Sequence, residues 1–477
     1  MGSCNGDGSS PGAFGRIDYI AGAIEPILTR GERFAIEGFG FGTQAGTVVF
    51  TRIGGGTIET AVADSDWTAF AVVITLPDSA ATGHVALALE TATGTQTIRT
   101  INVLPRSSFN PDALTWAARG TFPGASSGVS VTAAEFPAAG GVFRTTLYAA
   151  GGAEPPQMTP DSGVYVAKVT DGGAGAIGSW VRQRDTTDPD LSRVLPAPRA
   201  FAATVVATRF NSRFRGSALY VIGGIDTAGR AQASVLGADV TADGVTGHFV
   251  PLEPLPTPLA GAIAVVRQGK IYVIGGTDAL GRPQSSVYMG RIGADGHIDG
   301  WYVQPPLPGP RAYGAGIARD HRVVAIGGVA DSVPPGGGLG AGTQRLVTGD
   351  TAAVSLLSGF FTGAWGAGPA LLPEGRSQFA LLDLDSTVLV VGGMYAGAPS
   401  NSAETLAASV AGDSVGPFAG PVGTNRIADL MCLTETAGTL VGPAGITWRE
   451  ADGTRRGLLV GGLDLATQGP RSCAWGF

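Results

Sequence analysis

Along residues 105–477 the hydrophobic and polar positions recur in a fixed order. An apolar run that stops at a pair of glycines appears six times: Leu147-Tyr-Ala-Ala-Gly151-Gly152, Leu219-Tyr-Val-Ile-Gly223-Gly224, Ile271-Tyr-Val-Ile-Gly275-Gly276, Val323-Val-Ala-Ile-Gly327-Gly328, Val388-Leu-Val-Val-Gly392-Gly393 and Leu458-Leu-Val-Gly461-Gly462. Runs this short, rich in Val, Ile, Leu and Tyr and ended by glycine, predict buried β-strands. The glycines have a physical reason, because backbone there turns tightly where a side chain would collide with a neighbouring unit. A second mark is an aromatic that usually follows a glycine, at Trp116, Trp180, Phe249, Trp301, Trp365 and Phe418. A third precedes five of the doublets: Pro198-Arg199, Pro258-Leu259, Pro310-Arg311, Gly375-Arg376 and Asn425-Arg426. The three marks define six units of four antiparallel strands. One opens near the Arg, one ends at Gly-Gly, one resembles Ser285-Ser-Val-Tyr-Met289, and one carries the aromatic. Asp243-Gly244 and Asp295-Gly296 supply the positive φ that the hairpins between the last two strands need.

These marks resemble the kelch repeat and cover nearly all of 105–477, which implies a six-bladed β-propeller. Trp116 comes before the first doublet, whereas the chain ends at Ser472-Cys-Ala-Trp-Gly-Phe477, a third strand with no fourth after it. The segment Leu114-Thr115-Trp116-Ala117 is therefore expected to complete the last blade and remove the open edges of the ring.

Residues 16–104 alternate differently, in short segments separated by Gly, Asp and Thr, and predict a β-sandwich. The strands include Phe34–Ile36, Thr47–Phe50, Ala69–Ile74, His84–Leu89 and Thr97–Val103. Ile24-Glu25-Pro26, Gly31, Ile36-Glu37-Gly38-Phe39-Gly40-Phe41-Gly42 and Val48-Val49-Phe50, with Leu76-Pro77 before Gly83-His84-Val85, resemble the IPT/TIG family of Ig-like domains. The resemblance implies a spacer or adhesion module of bacterial surface proteins. The fold class expected is all-β: a flexible tether over 1–15, an Ig-like β-sandwich over 16–104, and a six-bladed kelch-like β-propeller over 105–477.

Composition narrows the function. Gly, at 76 of 477, is about twice the ordinary share, and charged residues make up 14% against roughly a quarter in typical domains. With a net charge of -7 and Lys only at 168 and 270, the chain lacks the cationic field that nucleic acid requires. No run of 18 apolar residues exists to span a bilayer. Cys4, in Met1-Gly-Ser-Cys4-Asn-Gly-Asp-Gly-Ser-Ser10, resembles the junction of a bacterial lipoprotein, although the apolar segment of such a signal does not stand before it. The resemblance implies acylation of Cys4, the one contact with a membrane that is expected. Cys432 and Cys473 fall on the first and third strands of one predicted blade, about two spacings of ~4.8 Å apart, so buried free thiols are expected.

Alternation places the loop after each Gly-Gly and the loop into each Arg on one face. That face carries the long segments 153–162, 183–198, 329–346 and 394–402, and loops of that kind are often functional. Arg199, Arg311, Arg376 and Arg426, with Phe201, Tyr313, Phe379 and Tyr395, are the candidate ligand contacts, although all belong to the repeat itself and a purely structural role accounts for them more readily. Asp226, Asp278 and Asp464 after the doublets read as Asx turns.

Catalytic chemistry finds little support. Four histidines, at 84, 248, 297 and 321, do not converge as a copper oxidase of this fold would need, and no sialidase-type Ser-x-Asp-x-Gly-x-Thr-Trp turn, Gly-x-Ser-x-Gly, phosphate loop or zinc spacing occurs. Neither metal nor cofactor is expected. The reading is a non-catalytic recognition or adhesion protein of a bacterial surface, with a protein or glycan partner. A structural subunit of a self-associating extracellular assembly and a glycan-acting propeller enzyme are the alternatives.

Overall fold

A computed structural model describes the chain from Arg16 to Phe477 apart from residues 22–25, 53, 93, 96–97, 107, 125–126, 138–142, 155–156, 171–174, 185–192, 209–215, 246, 268, 294, 320–321, 332–349, 358–359, 362, 396–403, 412–413, 428–439, 451, 465–468 and 471. Its regular elements are strands and two short 3-10 turns, so the protein is all-β. No helix of the described residues is long and apolar enough to cross a membrane. Two compact units divide the chain, Met1–Leu104 and Pro105–Phe477.

In the first unit, two sheets share one core. Arg33–Phe39 lies between Arg16–Ile20 and Ala71–Thr75 in one of them. The other runs in the order Ile27–Thr29, Arg99–Leu104, Gly83–Thr91, Thr47–Arg52, Thr57–Ala61. Alternate residues face inward, so Phe34 and Ile36 meet Val48, Phe50, Leu87 and Val103 around Trp67. Ile27–Thr29 pairs parallel with Arg99–Leu104, whereas its neighbours pair antiparallel. The Gly-Phe-Gly-Phe-Gly run splits across the surface: Phe41 is buried, while Phe39 is 41% exposed beneath the Arg16 guanidinium. Gly38 is obligatory, since a Cβ there would lie 1.8 Å from the Arg16 carbonyl oxygen.

Among the described residues, the second unit holds six sheets of at least four strands. The third shows the pattern, with Ile263–Arg267, Lys270–Ile274, Val287–Ile292 and Ile298–Gln304 paired antiparallel in chain order. The first strands of the others are Ser130–Pro137, Ala203–Thr208, Ala315–Arg319, Ala380–Asp383 and Ala444–Arg449. These six strands pack one on the next around a common axis, with Ala444–Arg449 returning to Ser130–Pro137. Second strands such as Ser217–Ile222, Lys270–Ile274 and Thr387–Val391 are buried along their whole length, as a strand covered on both faces must be.

Six hydrophobic clusters lie between neighbouring sheets, and each takes one of the six aromatic marks. Phe249 packs between the first and second sheets, Trp301 between the second and third, Trp365 between the third and fourth. Phe418, Trp116 and Trp180 fill the remaining three, the last of which joins the sixth sheet to the first. The tyrosines before the doublets add polar links. Tyr148 donates to the Thr241 carbonyl at 2.7 Å and Tyr220 to that of Gly296 at 2.6 Å, each in the following sheet. Burial, first of all, pushes both phenol pKa values well above their ordinary value.

The sixth sheet is built from both ends of the unit, as the order of the marks predicts. Its strands are Ala444–Arg449, Arg455–Val460, Cys473–Gly476 and Ala117–Thr121, with Ala117 opposite Gly476 and Ala118 opposite Trp475. Trp116 anchors this closure: its indole donates to the Thr405 hydroxyl at 3.0 Å and meets Phe477 edge-on at 5.1 Å. Two details differ from expectation. The first strand of this sheet starts at Ala444 rather than beside Arg426, because Asn425 is engaged in holding the backbone N–H and carbonyl of Trp116, both at 2.8 Å. Cys473 is in a disulfide, not a free thiol. The expected separation assumed that Cys432 lies on the first strand, and that strand lies elsewhere; Cys432 and Cys4 are outside the described residues.

Candidate functional site

Where the chain enters the first strand of the second to sixth sheets, three consecutive residues perform the same three tasks. The first accepts a hydrogen bond from the second glycine of the preceding doublet: Gly152, Gly224, Gly276 and Gly328 donate to Arg199, Leu259, Arg311 and Arg376 at 2.8 Å, and Gly393 donates to Leu440 at 2.9 Å. The second forms a two-bond bridge to the residue after a doublet, as Ala260 does with Thr277 and Val441 with Leu463. The third reaches its counterpart in the previous sheet. Phe201 donates to Gly128 at 2.8 Å, Gly261 to Phe201 at 2.9 Å, and Tyr313 to Gly261, Gln378 to Tyr313 and Gly442 to Gln378, each at 2.8 Å. A chain of N–H···O=C bonds thus passes from sheet to sheet around the axis.

This geometry demands left-handed backbone. The φ values are 61° at Gly128, 54° at Phe201, 59° at Gly261, 55° at Tyr313, 54° at Gln378 and 64° at Gly442. Three of the six are glycines, and two of those make room for the large neighbours. A Cβ at Gly128 would come within 2.7 Å of the Phe201 ring, and one at Gly261 within 2.4 Å of the Tyr313 ring. Phe201 and Tyr313, both half-buried, meet edge to face at 5.6 Å. Gln378 is buried in the same ring of positions.

The candidate arginines divide. Arg199, Arg311 and Arg376 are equivalent and buried. Arg311 and Arg376 donate to the carbonyls of Gly327 and Gly392, the first glycines of their own sheets' doublets, and Arg376 also faces Glu404 at 3.9 Å. Arg199 donates to the Ser234 hydroxyl at 2.6 Å, and burial pulls its pKa down against the opposing pull of Asp226. The Arg311 and Arg376 guanidinium groups thus tie the doublet to the strand entry, while that of Arg199 ties the entry to Ser234. Arg426 does not belong with them: it is exposed, and Leu440 holds its place.

The aromatic candidates divide similarly. Phe201 and Tyr313 occupy the axial ring, but the third member there is Gln378, while Phe379 is buried between the fourth and fifth sheets. A one-residue offset separates the two roles. The backbone of Tyr395 pairs with Arg376. Cys4 and most of the expected loops, including 185–192, 332–349 and 396–403, lie outside the described residues. Sequence reasoning passed over Gly128, Gly261, Gln378 and Gly442. The signal lay in the third position of Arg199-Ala-Phe201, Leu259-Ala-Gly261, Arg311-Ala-Tyr313 and Arg376-Ser-Gln378.

Charged residues beyond the ring have local work. Asp226 and Asp278 close identical turns, accepting from the backbone of Ala228 and Arg230 and from that of Leu280 and Arg282. Burial raises their pKa values, yet these N–H donors and the Arg230 and Arg282 guanidiniums outweigh it and hold both carboxyls below the ordinary value. At the opposite end of the first strands, ion pairs cross between sheets. Arg319 pairs with Asp383, Arg455 with Asp385 at 2.6 Å, and Arg449 with Glu135 at 3.1 Å. Among the described residues no group of three or more His, Cys, Asp or Glu is placed to hold a metal ion.

Known proteins share parts of this pattern. The kelch motif matches residues 258–289. Beta-scruin of Limulus polyphemus is 32% identical over 128 residues, 26% of this chain and 13% of the scruin. Alpha-scruin of the same organism is 29% identical over 112 residues, 23% of this chain and 12% of that protein. The chain thus spans about an eighth of the length of these relatives. A solved structure, that of YjhT, aligns over 74% of this chain and 95% of its own at 14% identity and a TM-score of 0.47. The matched motif and the six repeating sheets together show that the chain carries a kelch-repeat β-propeller domain.

Proposed function

We propose that the kelch-repeat domain is a non-catalytic recognition disc of six blades that binds a protein or glycan partner at the face where the chain enters the first strands. One observation carries this reading. Glycine performs the axial turn at Gly128, Gly261 and Gly442, whereas Phe201, Tyr313 and Gln378 adopt the same left-handed φ with large side chains. That conformation costs a residue with a Cβ about 1–2 kcal/mol. Strain kept where glycine would serve points to side chains selected for what they present, as at ligand clamps. Arg199, Arg311 and Arg376 then support the face, with Phe201, Tyr313 and Gln378 as the contacts.

The disulfide at Cys473 supports an oxidising compartment, and hence export. In the same reading Cys4 is the point of lipid attachment and the first unit is an Ig-like IPT/TIG spacer. A parallel strand beside the last strand of an otherwise antiparallel two-sheet core supports that assignment. Peptide-display selection on the full chain tests the recognition face. Selected ligands should bind the wild type and lose the Phe201→Gly, Tyr313→Gly double variant; ligands that bind both equally would remove the basis for the assignment. A second reading, a structural subunit of an extracellular assembly, is favoured by the apolar side chains on the rim of the third sheet.

A further inference from the structure

The outer strands of the six sheets are protected unequally. Those of the first and fifth, Val181–Arg182 and Ser414–Val415, are two residues long. Val250–Leu252 and Gly366–Ala370 contain Pro251 and Pro369, and Ala117–Thr121 carries Arg119 at an irregularity in its register. Short length, proline, charge and bulges all discourage edge pairing. The third sheet ends differently, in the seven-residue Ile298–Gln304. After an irregularity near Gly300, Trp301–Gln304 forms an unbroken ladder on Val287–Gly290. That stretch contains no proline, Lys or Arg, and no described strand pairs with its outer side. Trp301 pins it: its ring lies over Gly290, where a Cβ would be 2.8 Å away, and its indole donates to the Glu253 carbonyl at 2.8 Å. Tyr302 is 46% and Val303 76% exposed, and as consecutive residues they point to opposite faces of the sheet.

We propose that this edge is a dimerisation site for a second copy of the chain, the two Trp301–Gln304 strands pairing antiparallel about a two-fold axis. The Gln304 side-chain amide lies 3.2 Å from the Tyr302 carbonyl and 3.3 Å from that of Val303, exposed contacts that an incoming strand would displace. The outward N–H and C=O groups of a rigid edge match another extended strand. A two-fold axis brings the same segment antiparallel to itself. Centred on Tyr302, that pairing sets Trp301 opposite Val303 and Gly300 opposite Gln304, with no charge opposing its like. Asp299, the one charged residue of the strand, is already engaged with Arg291 at 3.3 Å. The edge is thus neutral on a chain of net charge -7, which suits self-association better than pairing with a charged partner.

Sedimentation velocity of the full chain from nanomolar to high micromolar concentration tests this. The wild type should form a dimer, Val303→Lys should raise its dissociation constant at least tenfold, and Val250→Lys on the neighbouring rim should leave it unchanged. Should Val303→Lys melt lower than the wild type by circular dichroism, Tyr302→Lys is read in its place. A wild type that stays monomeric, or a dimer as tight in both rim variants at 302 and 303 as in the wild type, overturns the proposal. Neither outcome bears on ligand binding at the axial ring, because Phe201 and Tyr313 are untouched in every protein compared.

Discussion

Replacing Phe201 by glycine separates scaffold from contact at the axial ring. Relief of left-handed strain at φ 54° favours the variant by about 1–2 kcal/mol, and the extra freedom of glycine in the unfolded chain takes back about 0.5–1 kcal/mol. The ring is half-buried, so its lost burial costs about 1 kcal/mol, and the edge-to-face contact with Tyr313 at 5.6 Å about 1 kcal/mol more. The net loss is about 1–1.5 kcal/mol, well below the roughly 3–5 kcal/mol of a core aromatic such as Trp448. Thermal melting should fall by only a few degrees. Affinity for a ligand selected on the wild type should fall about 30-fold, the effect of losing an anchor worth about 2 kcal/mol. Calorimetric melting and titration read the two quantities on the same sample. A variant that melts like a core deletion, or that keeps its affinity, refutes the division of labour drawn for this ring.

Other consequences are equally direct. Gly275→Ala should lose about 3 kcal/mol or more, since φ is +62° and the new Cβ would sit 2.2 Å from the Arg311 carbonyl oxygen, whereas Gly363→Ala, with nothing within 4 Å, should melt like the wild type within about 0.5 kcal/mol; equal melting curves would contradict the collision. Reduction, or Cys473→Ser, should destabilise the kelch domain by about 2–4 kcal/mol in urea unfolding, and a reductant should have no further effect on the variant. Asp226 and Asp278 are held below their ordinary pKa of 3.8 in the folded protein, so the stability they contribute is present above that value and is lost as pH falls through the folded pKa. Asp226→Asn, Asp278→Asn should flatten the acid limb of the melting profile, and parallel profiles would refute it. Removing residues 473–477 should expose strand edges at Arg455–Val460 and Ala117–Thr121 and yield aggregates, so a monodisperse product with unchanged melting would disprove the closure.

The strand pattern was legible because it rests on local necessities. Doublet glycines such as Gly275 and Gly276 have φ values of 62° and 97°, and aromatics such as Trp180 fill gaps between sheets, so both leave residue types in the sequence. The kelch pattern, and a closing strand beside Trp116 against Cys473–Gly476, followed from their order, although the strand runs over Ala117–Thr121 and not over Leu114–Ala117. The candidate site was half legible. Arg199, Phe201, Arg311, Tyr313 and Arg376 stand where the repeat puts them, but Gln378 was hidden by Phe379 next to it. Register in a turn is fixed by φ, not by side-chain type, and an aromatic one residue away attracts the eye first. Arg426 was misleading because Asn425 answers to Trp116, a partner more than three hundred positions earlier in the chain. The pairs Arg319–Asp383 and Arg449–Glu135 join different sheets, and nothing local in sequence relates their members.

The sixth sheet takes its outermost strand from Ala117–Thr121 and its third from Cys473–Gly476. During synthesis the earlier strand emerges long before its partner exists, and must wait while the intervening sheets form. The ring therefore cannot lock until Cys473–Gly476 has been made, whatever the state of the intervening sheets. Such distant pairing makes folding slow and leaves a waiting edge exposed to other chains. A polypeptide that stops short of Cys473 would leave the facing edges of Arg455–Val460 and Ala117–Thr121 raw, a mark of incompleteness that cellular quality control can read.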